Sequence, residues 1–170
     1  MMHANVDTRK RPSPDNKAAL QTRIVTEARS WMGTPFVHEG AVKGVGVDCV
    51  QLARMVFVNV GIAPADFPTF APYPTGWLLE HSDHRYEDAI SRHMTRVWKL
   101  GDPMIFPEPG DLALFALGRA GAHSAIVTMW PRVIHAWDED CVVETKAHGN
   151  VLDKRSRRLI SVWRASVLCG

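Results

Sequence analysis

Apolar residues recur at the spacing of a helix in the stretch that follows Gly44-Val45-Gly46-Val47-Asp48. From Cys49 onward they fall at i, i+3, i+4 and i+7, which predicts one buried face. That face would consist of Cys49, Leu52, Ala53, Val56, Phe57 and Val60. Asp48 is suited to cap the first turn and Gly61 to end the helix. The Cys49 thiol would then lie at a helix N-terminus, where the partial positive charge favours a thiolate nucleophile; the alternative is a small buried apolar residue.

The same spacing predicts two further helices. The first covers about residues 16–32, begins at Asp15 or Asn16 and ends at Gly33-Thr34-Pro35. Its buried face would hold Leu20, Ile24, Ala28 and Trp31. The second is expected from about Tyr86 to Trp98. Its buried face would hold Ile90, Met94 and either Val97 or Trp98.

After Pro107-Glu108-Pro109-Gly110 the pattern changes to short apolar runs that are separated by turn residues, as expected for strands. About five strands are predicted, over residues 111–117, 122–129, 133–137, 141–145 and 159–163. Helices therefore come first and strands second. This order indicates an α+β fold in which N-terminal helices pack on a mostly antiparallel sheet of five to six strands.

Two histidines fall in neighbouring predicted strands, His123 in the second and His135 in the third. A hairpin loop with an odd number of residues, for example Trp130-Pro131-Arg132, would place both on one face of the sheet. A loop of two residues would place them on opposite faces unless a bulge intervened. On one face, His123 could act as the base for a thiol and His135 could orient it, although a lone strand histidine is usually structural.

Composition and charge narrow the function further. The chain has 170 residues, 46% of them apolar, and a net charge of +2, which fits one domain and argues against a nucleic-acid partner. Residues 1–15, with Arg9-Lys10-Arg11, are expected to form a flexible basic arm before a domain over residues 16–170. No membrane-spanning segment and no signal peptide are predicted, so synthesis in the cytoplasm is expected.

Metal and disulfide chemistry find little support. His81, Asp83, His84 and His93 match no tight set of metal ligands, and we expect neither a metal nor a cofactor. The three cysteines, Cys49, Cys141 and Cys169, form no spaced metal-binding pair. An odd number of cysteines also argues against a disulfide scaffold.

Five short motifs follow one another along the chain. They are Trp31-Met32-Gly33-Thr34-Pro35-Phe36-Val37-His38, Lys43-Gly44-Val45-Gly46-Val47-Asp48-Cys49, Pro109-Gly110-Asp111-Leu112, His123-Ser124-Ala125-Ile126-Val127 and Val133-Ile134-His135-Ala136. In this order they resemble the NlpC family of papain-like cell-wall cysteine endopeptidases. Tyr73 and Trp77, in a proline-rich segment, are similar to the branch found in tails of phages and gene transfer agents.

The resemblance implies Cys49, His123 and His135 as the catalytic positions. It places Phe36, His38, Asp48, Val50 and Ser124 near the substrate or the oxyanion. Three departures stand out. Val50-Gln51 replaces the usual Ser-Gly, Ser124-Ala125 replaces Val-Gly, and Phe36 replaces a tyrosine whose hydroxyl could contribute about 3 kcal/mol as an oxyanion donor.

The resemblance implies hydrolysis of peptidoglycan stem peptides, often at a γ-D-glutamyl–diamino acid amide bond, by a tail-associated wall hydrolase. Expected partners are the peptidoglycan peptide and other tail or baseplate proteins, with action at the host cell wall or periplasm. One alternative is a structural tail-tip or baseplate component with little activity, suggested by Phe36 and the basic arm. Another is an acyl- or peptidyl-transferase, which no residue favours.

Overall fold

The computed structural model describes residues 13–67, 85–103, 105–117, 120–136, 140–147 and 158–169. Its helices there are α1 (Pro14–Arg29), α2 (Cys49–Asn59), α3 (Arg85–Ser91) and α4 (Ser166–Cys169). Its strands are β1 (Ala41–Val42), β2 (Gly46–Val47), β3 (Met94–Lys99), β4 (Leu112–Leu117), β5 (Ala120–Met129), β6 (Arg132–Ala136), β7 (Val142–Lys146) and β8 (Arg158–Ala165). Most of the basic arm, Tyr73, Trp77 and the segment with His81, Asp83 and His84 lie outside the described residues.

Six strands form one antiparallel sheet in the order β3-β8-β4-β5-β6-β7, which confirms the predicted α+β architecture. Strands β4 to β7 pair with their chain neighbours, whereas β8 inserts between β3 and β4. An ion pair reinforces this insertion. Arg164 on β8 donates from Nε and Nη2 to the two oxygens of Asp111, at 2.8 and 2.9 Å, and Asp111 is fully buried before β4.

The two faces of the sheet bury different sets of side chains. Helices α1 and α2 share one hydrophobic cluster with Leu112, Leu114, Ile126 and Ile134. The other face carries Ala113, Phe115, Ala125, Val127 and Val133. Burial of each large apolar side chain favours folding by about 1.5–3 kcal/mol, so this two-sided core holds the sheet and the first helices in place.

Helix α1 lies slightly earlier than the sequence predicted. Ser13 is the N-cap, its hydroxyl accepts from the Asn16 amide, and Pro14 occupies the first helical position, where a missing N–H carries no penalty. The predicted caps Asp15 and Asn16 are therefore wrong, because both lie inside the first turn. Neither this helix nor any other within the described residues is long and apolar enough to span a membrane.

The helix predicted over residues 86–98 is wrong in its second half, because α3 ends at Ser91 and β3 follows. Met94 and Trp98 are four residues apart, a spacing that a helix face and a strand face both allow. A bulge between Arg96 and Trp98 changes the register. As a result Met94 packs in the cluster on the helix side, whereas Trp98 packs on the opposite face.

Candidate active site

Helix α2 begins at Cys49, and its start is fixed as the sequence predicted. Asp48 is the N-cap, and its Oδ1 atom accepts from the Gln51 amide at 2.8 Å. All six residues of the predicted apolar face, Cys49, Leu52, Ala53, Val56, Phe57 and Val60, are buried. Gly61, at φ 75°, follows the C-terminal cap. Cys49 therefore occupies the first position of the helix, with 9% of its surface exposed.

Asp48 also holds the glycine-rich loop that precedes the helix. Its Oδ2 atom accepts from the Glu39 amide at 2.7 Å and lies 3.8 Å from Nδ1 of His38. Glu39 has a φ of 58°, which is a costly conformation for a residue other than glycine. A Cβ atom at Gly40 would lie 2.7 Å from the Gly46 carbonyl oxygen, so only glycine fits there. One buried carboxylate thus joins the loop to the start of the thiol-bearing helix.

The hairpin between β5 and β6 places His123 and His135 on the same face of the sheet. Its loop has two residues, Trp130 and Pro131, so the three-residue loop given as an example is wrong. The pairs in register are Ile126 with Ile134, Val127 with Val133, and Met129 with Arg132. Thr128 is the extra residue of a bulge, and this bulge restores the common face that a two-residue loop alone would remove.

The two histidine rings meet directly. Nε2 of His123 lies 3.0 Å from Nδ1 of His135, and the rings are nearly perpendicular, with an interplanar angle of 83°. Both side chains are buried; His123 is 5% exposed and His135 is fully enclosed. The structure therefore contains the predicted contact between the two rings, and the orienting role of His135 stays a prediction. Because this contact uses Nε2 of His123, Nδ1 is the ring nitrogen that would serve as base.

A third strand extends the pair. Nε2 of His135 lies 3.1 Å from the Thr145 hydroxyl on β7. Sequence reasoning missed Thr145, since a strand threonine is common and only the β6–β7 register brings it beside His135. His123, His135 and Thr145 thus form a row of polar side chains across three adjacent strands.

The helix start and the histidine strand are joined at Ser124. Ser124 directly follows His123 in the chain and is 1% exposed. Its hydroxyl donates to the Cys49 carbonyl oxygen at 2.7 Å. The buried Tyr86 of α3 lies close to Ser124. Burial raises the pKa of the Tyr86 hydroxyl, and the nearby Cys49 and Asp48 raise it further, so this group stays protonated. Sequence reasoning assigned Tyr86 only to a helix and missed this contact.

The remaining predicted residues take different positions. Phe36 is half-buried, packs against the core, and donates its amide to the Asp140 carbonyl at 3.0 Å. Val50 is 2% exposed, so its side chain belongs to the core and only its backbone is near the helix start. His38 keeps about a third of its side chain exposed beside Asp48. Of these three side chains, only His38 is polar, and it is partly exposed.

Together these elements define an α+β protein with the papain-like architecture of NlpC/p60 domains, and in this chain Cys49 begins the helix that packs on the antiparallel sheet. No protein-family model matches the chain, and no curated protein sequence does either.

Solved structures identify the fold more closely. The NlpC/p60 domain of the peptidoglycan hydrolase SagA superposes with a TM-score of 0.54 at 19% identity, over 83% of this chain and 97% of that one. An NlpC/P60 family protein from Bacillus cereus gives a TM-score of 0.59 at 19% identity, over 93% of this chain and 42% of that one. The peptidoglycan hydrolase RipB from Mycobacterium tuberculosis gives a TM-score of 0.54 at 18% identity, over 91% of this chain and 68% of that one. The chain thus matches less than half of the Bacillus cereus protein, and the shared property is the fold.

Proposed function

We propose that the protein is a cysteine peptidase that hydrolyses the stem peptides of peptidoglycan, at the γ-D-glutamyl–diamino acid amide bond. The observation that carries the proposal is the 3.0 Å contact between His123 and His135, on strands that pack against the helix begun by Cys49. A weakly acidic thiol needs a base, and the base needs a polar group that fixes its ring. Similarity to the SagA and RipB peptidoglycan hydrolases supports the substrate class.

The proposed reaction proceeds through a thioester. Cys49 transfers its thiol proton to Nδ1 of His123, and the sulfur attacks the carbonyl carbon of the amide. The C–N bond then breaks, and the amine leaves with the proton from His123. In the second half, His123 takes a proton from water, the resulting hydroxide attacks the thioester, and a carboxylate is released while the thiol re-forms.

Support for the oxyanion would come from the first turn of α2. Backbone amides there lie outside the helix's own hydrogen-bond ladder, and the Cys49 amide would lie next to the carbon that the thiol attacks. Phe36 supplies no hydroxyl, so His38 is the side chain that we propose as a second donor. Its position 3.8 Å from Asp48 keeps the ring at the edge of the loop.

Digestion of purified peptidoglycan tests the proposal, with released fragments identified by mass spectrometry. Wild-type protein should release fragments cut at one stem-peptide bond, and Cys49→Ala and His123→Ala should release none. Cys169→Ala is the matched control, because Cys169 is exposed and lies at the far end of the chain. Continued release by Cys49→Ala would refute the proposal. An inactive wild type whose Cys49 resists iodoacetamide would favour a structural tail component instead.

We also propose that the enzyme acts as part of a phage-like tail and reaches the host wall or periplasm inside the particle. The support is the similarity of Tyr73 and Trp77 to the tail-associated branch. Mass spectrometry of purified tail particles from cells that express the chain tests this. Its absence from intact tails would contradict the assignment. Deletion of residues 1–15 tests separately whether the arm docks on a neighbouring tail or baseplate protein.

A further inference from the structure

Thr145 contacts the side of His135 that faces away from His123. It belongs to β7 and pairs with Val133, while His135 pairs with Val143, so the two side chains are diagonal neighbours across two strands. The Thr145 hydroxyl lies 3.1 Å from Nε2 of His135, and Nδ1 of the same ring lies 3.0 Å from His123. His135 is fully buried, and each of its two ring nitrogens has one of these side chains within hydrogen-bond distance.

The two contacts allow two opposite directions of hydrogen bonding. In the first, Thr145 accepts from the Nε2–H of His135, and Nδ1 of His135 accepts from His123. In the second, Thr145 donates to Nε2, and the Nδ1–H of His135 donates to Nε2 of His123. A neutral imidazole carries a proton on one nitrogen only, so each direction corresponds to one tautomer of His135.

Only the first direction is compatible with His123 as a base. When His123 receives the thiol proton at Nδ1, it is doubly protonated, and its Nε2 must donate. His135 must then offer an unprotonated Nδ1 and carry its own proton on Nε2. That proton needs an acceptor inside the protein, because an unsatisfied buried donor is costly. The Thr145 hydroxyl oxygen is the acceptor at the right place.

We propose that Thr145 is a positioning residue that holds His135 in its Nε2–H tautomer, so that His135 can accept from His123 during turnover. The assignment rests on the proposed peptidase function, but it concerns a residue that acts through His135 and does not contact the substrate. Thr145 thereby completes a row from the base to the edge strand of the sheet, β7.

Nitrogen NMR of the histidine rings tests the proposal without any turnover. The chemical shifts and long-range couplings of the ring nitrogens distinguish the Nδ1–H from the Nε2–H form. Wild-type His135 should be the Nε2–H form. Thr145→Val removes the hydroxyl and keeps the shape, so it should shift His135 toward Nδ1–H and lower kcat roughly three- to tenfold. KM should stay the same, and Thr145→Ser should restore both properties.

Thr95→Val is the matched control. Thr95 is an exposed strand threonine on β3 whose hydroxyl meets Ser166, and its removal should change neither the tautomer nor kcat. A wild-type His135 in the Nδ1–H form would overturn the proposal, and this outcome requires no variant to fold. A Thr145→Val protein that keeps the Nε2–H form would overturn it too, whatever its kcat. If wild type does not cut peptidoglycan, the peptidase assignment fails while the tautomer measurement still decides the role of Thr145.

Discussion

Asp48 performs two tasks with one buried carboxylate, and Asp48→Asn separates them. One oxygen caps helix α2 through the Gln51 amide, and the other holds the Glu39 amide of the glycine-rich loop. Asparagine caps helices as well as aspartate does, so the first bond should survive. Its other polar group is an NH₂, which would face the Glu39 N–H. Both groups are donors, so no hydrogen bond could form between them. The loop contact should therefore be lost while the helix start is kept.

The magnitude follows from the two bonds. Loss of an N-cap costs about 1 kcal/mol, and a hydrogen bond to a charged group contributes about 1.5–3 kcal/mol. Asp48→Ala should lower the free energy of unfolding by about 2–4 kcal/mol, because it removes both the helix cap and the loop hydrogen bond, whose contributions need not add in full. Asp48→Asn should lower it by about 1–2 kcal/mol, less than a full charged bond because the loop relaxes toward water.

Urea denaturation gives the free energies, and amide hydrogen exchange localises the change. The Glu39 amide should exchange faster in Asp48→Asn, while the Gln51 amide should keep its protection. Asp102→Asn is the control, because Asp102 accepts from the Lys99 amide at 3.1 Å in an exposed turn, and its change should stay within about 0.5 kcal/mol. The reasoning is refuted if Asp48→Asn is as stable as wild type, or if it destabilises as much as Asp48→Ala.

Two further predictions concern Ser124 and Glu108. Ser124→Ala removes the donor to the Cys49 carbonyl and should lower the free energy of unfolding by about 1 kcal/mol. The same change should slow alkylation of the Cys49 thiol. Unchanged alkylation would contradict the link between helix and strand. Burial raises the pKa of Glu108, but hydrogen bonds and charge from Lys17, Arg164 and Gln21 outweigh it, so the net pKa is lowered. A lowered carboxylate pKa adds stability above its unfolded value of about 4.3 and loses it as pH falls through the folded value. Wild type should therefore exceed Glu108→Gln in urea stability at pH 7, and the difference should shrink as the pH falls below the unfolded value of about 4.3. A difference that does not change with pH would contradict this.

Helix α2 could be predicted in full because every signal for it is local. Its stripe, its cap and its terminal glycine lie within fourteen consecutive residues, 48–61, and each depends on the chain's own periodicity. That His123 and His135 share one face of the sheet could be predicted only for a hairpin loop with an odd number of residues or for a strand with a bulge. Whether the loop has two or three residues, and whether Thr128 bulges, depends on pairing with the neighbouring strand.

The elements that could not be predicted depend on contacts distant in sequence. Met94 and Trp98 fit a helix by spacing, and only pairing with β8, more than sixty residues later, makes that segment a strand. Thr145 has no distinguishing pattern until the β6–β7 register sets it beside His135. Tyr86 reaches the site because α3 packs in the same cluster as Cys49. Local periodicity thus predicted the position of Cys49 at the helix start, whereas the hydroxyl groups near Cys49 and His135 depend on the tertiary structure.

The departures from the NlpC pattern are better understood by where each side chain lies. Val50 is 2% exposed, so where the family usually has serine this chain places an apolar side chain in the core. Ser124, which stands where the family usually has valine, adds a hydroxyl that donates to the Cys49 carbonyl and lies close to Tyr86. The chain thus has no hydroxyl at Phe36, but the Ser124 hydroxyl on β5 ties the helix start to the sheet. If this buried hydroxyl keeps Cys49 in place, the proposed mechanism predicts that Phe36 weakens oxyanion binding alone and leaves thiolate formation at Cys49 intact.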